Sequence, residues 1–137
     1  MRITLISYKI ASWSLLIVGF GHTITYLTAP KTLEQNDMII TMKDMTFQML
    51  GTEANIFSFY QGFSLMMGIL LIGYGLLNIL ILKNNKQLNL ASNILILNII
   101  ISLVSLILSV KYFFIVPIIF TSIPLVGFII SLSTKNK

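Results

Sequence analysis

The chain reads as an all-α integral membrane protein: a four-transmembrane-helix antiparallel bundle with an amphipathic helix in the outer loop between helices 1 and 2. Three observations predict this class. Four apolar runs, at residues 10–29, 56–82, 90–110 and 113–132, are each of spanning length, because a hydrocarbon core about 30 Å thick needs about 20 apolar residues in helical form. The composition, 56% hydrophobic and 9% charged with a mean hydropathy of +0.93, is too apolar for a soluble domain of this length. The nine basic and four acidic residues all lie outside the runs or at their ends. No water reaches the hydrocarbon, so each span must satisfy its own backbone as a helix, and residues 1–137 read as one membrane domain.

The first run follows Arg2 and Lys9, and Ala29 stands near its end, as in a cleavable leader. Pro30 would then follow the cut, where it is poorly tolerated, and the apolar stretch exceeds a usual leader core, so a retained helix is expected. The second run carries the densest small and polar pattern, from Ser58 through Gln61, Gly62, Ser64 and Gly68 to Gly73, Tyr74, Gly75 and Asn78. Ser64 and Gly68 make a small-xxx-small step that lets another helix approach closely. The third run spaces Asn98, Ser102, Ser105 and Ser109 by four, three and four, a second packing seam. In the fourth, Pro117 and Pro124 are expected to kink or loosen the helix.

The connections differ. Residues 83–87 read as a tight turn, and Lys111-Tyr112 leaves almost nothing between the third and fourth helices, so these neighbours should run antiparallel. Residues 30–55 form the one long loop. Within it Met38, Met42, Met45 and Met49 fall on one face of an expected amphipathic helix. Thioether sulfur is a soft copper(I) ligand, but the loop has no His or Cys, and apolar packing is the preferred reading.

One side of the alternating topology holds Arg2, Lys9, Lys83, Lys86, Lys135 and Lys137, and the other Lys31, Lys43 and Lys111. The positive-inside rule then places both termini in the cytoplasm, as expected for a multi-pass protein of the bacterial cytoplasmic (inner) membrane. The net charge of +5 resides in lysines beside the spans and forms no basic patch, so nucleic acid is not an expected partner. The bilayer is the expected partner, and self-association through the small-residue seams stays open. With no cysteine, thiolate catalysis and disulfides are excluded, and no cofactor is expected.

The spans contain no Asp, Glu, Lys or Arg, which leaves His22, the sole histidine, as their most reactive group. Depth matching sets it level with Ser58, Gln61 and Ser64 of the second helix, and with Ser105 and Ser109 of the third. A buried imidazole needs hydrogen-bond partners, and Gln61 or Ser58 is the expected one. His22, Ser58, Gln61 and Ser64 are the candidate ligand-binding residues, and no catalytic or metal residue is assigned.

The Gly21-His22-Thr23 step, the long loop, and Gly62-Phe63-Ser64 with Met67-Gly68 resemble a family of small, uncharacterised four-helix bacterial membrane proteins over roughly the first 80 residues. That resemblance implies a fold and no activity. A weaker similarity runs to emopamil-binding-like and DoxX-like four-helix proteins; the former use intramembrane acids together with His, and this chain has none. The sequence thus favours a non-enzymatic binding or interaction protein holding a lipid or small apolar ligand near His22 and Gln61. The alternative is a small isomerase-like membrane enzyme using His22 as acid or base.

Overall fold

The computed structural model describes residues 2–84 and 90–135. The order is α1 (Arg2–Thr28), α2 (Leu33–Asp44), β1 (Thr46–Met49), β2 (Thr52–Asn55), α3 (Ile56–Asn84), α4 (Ser92–Tyr112) and α5 (Ile115–Ser133). Helices α1, α3, α4 and α5 are long and apolar enough to cross a membrane, as the sequence implies. Helix α1 begins earlier than the apolar run, so Lys9 lies inside it with its side chain exposed. Hydropathy marks only the hydrocarbon crossing, and a helix continues beyond that wherever its side chains still pack; here Thr4, Ser7 and Tyr8 are buried. Most of the turn expected at 83–87 lies outside the described residues.

The chain forms two compact units. The first comprises Met1–Val18 and Leu71–Lys137. Its core gathers Tyr8, Ala11, Leu15, Leu90, Leu95 and Phe128, with Tyr8 and Phe128 meeting edge to face at 5.4 Å between centroids. Helix α5 comes close to α1 at Gly127, where a Cβ would stand 2.9 Å from both the Ser7 carbonyl oxygen and the Ala11 Cβ. Ser131 Oγ donates to the Thr4 carbonyl at 2.9 Å in the same seam. Helices α4 and α5 pack against each other across a break of two residues, Phe113 and Phe114.

At the centre of this unit is a closed amide and phenol network. Tyr8 OH and Asn98 Nδ2 both donate to Asn78 Oδ1 at 2.6 Å, Tyr74 OH donates to Asn98 Oδ1, and Asn78 Nδ2 donates to the Tyr74 carbonyl at 2.9 Å. Three helices thus share one buried polar cluster, which in an apolar surrounding is tolerated because its members satisfy one another. The seam expected on α4 is present in part: Asn98, Ser102 and Ser109 are buried, whereas Ser105 is half-buried and bonds back to Ile101 of its own helix. Pro117 falls in the first turn of α5, where no intrahelical N–H bond is lost, so only Pro124 lies in the helix interior, and α5 runs on through it from Ile115 to Ser133.

The second unit, Gly19–Leu70, contains the end of α1, α2, the hairpin and the start of α3. Thr32 caps α2 through a capping box: its Oγ1 accepts from the Gln35 N–H and its own N–H donates to Gln35 Oε1. The methionine stripe does not persist. Only Met38 and Met42 belong to α2; Met45 is its C-cap and Met49 lies on β1. Residues 46–55 instead form an antiparallel hairpin, Thr46 opposite Asn55 and Met49 opposite Thr52, turned by Leu50 and Gly51 at φ of 50° and 79°. Two successive positive φ angles match the right-handed strand twist, and Gly51 supplies the residue that a tight hairpin turn favours. The methionine spacing therefore coincided with a helical period over residues whose turn chemistry belongs to strands. Asn55 Oδ1 accepts from the Ser58 N–H at 2.8 Å and starts α3, and Phe47, Phe59 and Phe63 stack edge to face beside it.

Candidate functional site

The candidate residues of the sequence fall within the second unit. His22, half-buried on α1, places Nε2 3.1 Å from both the carbonyl oxygen and Oγ of Ser64 on α3. A carbonyl oxygen only accepts, so both contacts are satisfied together when Nε2 carries the hydrogen and shares it between them. That tautomer leaves Nδ1 as the basic nitrogen, with no partner among the described residues.

The same face of α3 carries a glycine one turn further along. Gly68 is buried against α1, and a Cβ there would overlap Thr23 Oγ1 and come within 3.5 Å of the Gly19 carbonyl oxygen. Thr23 Oγ1 is itself fixed by donating to that carbonyl at 2.8 Å. The Ser64–Gly68 step is thus the face on which this end of α3 meets α1. Ser58 and Gln61 lie off that face, exposed, and neither side chain bonds His22. The expected partner, Gln61 or Ser58, is replaced by Ser64 because close approach, more than depth, selects which side chain an imidazole meets.

Beyond this contact an open cleft of about 580 Å³ enters the same unit. Thr25 and Tyr26 line it from the last turns of α1, and Ala29, Pro30 and Lys31 from the connection that follows. Helix α2 contributes Gln35, Met38, Ile39 and Met42, and α3 contributes Phe57 and Tyr60. Its volume is in the range of about 300–1,000 Å³ that small-molecule sites occupy, and its lining mixes an apolar wall with a few polar groups. None of His22, Ser58, Gln61 and Ser64 lines it; Thr25 and Tyr26 are the next turn of α1 after His22.

Two cations attend this cleft. Lys31 Nζ lies 5.9 Å and Lys43 Nζ 5.3 Å from the centroid of the Phe57 ring, both within cation–π range. Tyr26 and Tyr60 face each other at 6.2 Å. In the sequence Lys31 and Lys43 read only as topology signals, and Tyr26, Phe57 and Tyr60 carried no assigned role. Their signal was compositional: Lys, Tyr and Phe gather where apolar runs end, as interfacial side chains do. Among the described residues no three His, Cys, Asp or Glu side chains come together as a metal site. Comparison with protein-family models, curated proteins and solved structures gives no match to this chain.

Proposed function

We propose that this is a multi-pass membrane protein that binds a lipid or similar amphiphile in the cleft between α2 and the adjoining ends of α1 and α3. The observation that carries the reading is the lining itself. Met38, Ile39, Met42 and Phe57 offer an apolar wall, and Thr25, Tyr26, Lys31, Gln35 and Tyr60 offer polar groups within one cavity. An amphiphile needs both. The site is adjacent to the His22 layer and draws only its position from it.

The enzymatic alternative has less support. His22 is held through Nε2 by Ser64 and does not line the cleft, and neither α1 nor α3 contains a carboxylate to pair with it. The remaining features belong to the same proposal: an antiparallel bundle in a bacterial inner membrane, termini in the cytoplasm and α2 on the outer side. The short connections and the uneven distribution of Lys and Arg support them.

Native mass spectrometry of the purified protein tests the reading. Retained lipid is expected in the parent and its loss in Met42→Trp, which fills the cleft with an indole. Equal lipid retention by parent and variant would reject this site.

A further inference from the structure

The charged residues of the Gly19–Leu70 unit are sorted. It carries four acids, Glu34, Asp37, Asp44 and Glu53, against two lysines, Lys31 and Lys43. By count the unit is acidic, and its unsorted field would repel an anion. Yet of these six only Lys31 lines the cleft, and Lys43 reaches the Phe57 ring that forms part of the wall. Phe57 is therefore a shared platform for two ammonium groups, and no acid borders the cavity.

The polar lining is biased in the same way. The capping box engages Gln35 Oε1 with the Thr32 N–H, which leaves the Gln35 amide nitrogen as the group free to bond a ligand. Tyr26 and Tyr60 add phenol donors to the same lining. Lysine, amide nitrogen and phenols all favour negative charge.

We propose that the cleft is selective for a phospholipid with an anionic head group, its phosphate held by Lys31 with Lys43 adding charge across Phe57. This rests on the amphiphile reading above and specifies its ligand class. The ligand comes from the surrounding leaflet, since the apolar wall of Met42 and Phe57 has no use for a free phosphate.

The test presents the full chain in detergent with equal amounts of phosphatidylglycerol and phosphatidylcholine bearing identical acyl chains, and counts bound lipid by native mass spectrometry. The parent is expected to prefer phosphatidylglycerol, and Lys31→Gln to lower that preference about fivefold, the worth of one lysine near an anionic head group. Lys31→Arg should retain it, and so should Lys83→Gln, which alters a lysine of the other unit. Equal binding of the two lipids by the parent would overturn the head-group inference and leave the lipid site standing. Binding of neither would remove the lipid site and the inference with it. A loss in Lys83→Gln as large as in Lys31→Gln would show general surface charge, and displacement of lipid by glycerol phosphate alone would show a free-phosphate site; either overturns the proposal.

Discussion

Tyr8 donates its phenol hydrogen to Oδ1 of Asn78 at 2.6 Å, and the same oxygen accepts from Asn98. One amide oxygen on α3 thus joins α1 and α4. Replacing Asn78 by Leu removes the acceptor and leaves two buried donors unpaired, so a loss of about 1–3 kcal/mol is expected. Tyr8→Phe removes one donor and should cost less, about 0.6–1.7 kcal/mol. Thermal unfolding in detergent measures both, and the double mutant should lose less than the sum because the two share a bond. Strict additivity would mean that the contact does not exist.

Gly68 offers a steric test. Gly68→Ala places a methyl on Thr23 Oγ1 and should lower stability by about 1–3 kcal/mol, the usual cost of overpacking. Thr23→Ala in the same chain should recover part of the loss. Gly62→Ala, with nothing within 4 Å of the added carbon, should unfold at the parent temperature or slightly above it.

For the imidazole, His22→Ala and Ser64→Ala should each cost about 0.6–1.7 kcal/mol and combine with less than their sum. Gln61→Ala should add independently to His22→Ala. Coupling to Gln61 in place of Ser64, measured in the same unfolding assay, would restore the partner suggested by depth alone.

Leu50 occupies a left-handed backbone conformation at φ 50° with a fully exposed side chain. Asn adopts that conformation more readily and is the usual companion of Gly in such turns, so Leu50→Asn should slow amide exchange in the hairpin. Unchanged exchange at residues 46–55 would show that the turn stores no strain.

Orientation can be read chemically, because the chain has no native cysteine. Asn36→Cys should react with an impermeant maleimide added outside intact cells, and Lys135→Cys only after permeabilisation. The reverse pattern would invert the topology.

How much of this was legible in the sequence depends on distance along the chain. The spans were plain because hydrophobicity over about 20 residues is a local property. The Ser64–Gly68 seam was legible because small residues four apart carry their own geometric meaning. The Tyr8–Asn78–Asn98 network was not, since it joins residues 70 and 20 positions apart and nothing in the local pattern pairs them. The hairpin was obscured by a chance methionine period and by Leu50 standing where Asn or Asp would mark the turn, which left Gly51 as its one local signal. Lys31 and Phe57, far apart in the chain, gained meaning only when α2 brought their neighbours around one cavity.

The hydroxyls of α1 bear on the order in which the protein is built. Ser7, Ser12, Ser14 and Thr23 each return a hydrogen bond to a carbonyl three or four residues earlier in α1. A newly synthesised α1 can therefore enter lipid with these groups already satisfied, before any later helix exists. Tyr8 is different: its phenol finds its acceptor only on α3, and that amide is completed by Asn98 on α4. Insertion of α1 can thus be early and autonomous, whereas its docking through Tyr8 waits for the second half of the chain to leave the ribosome.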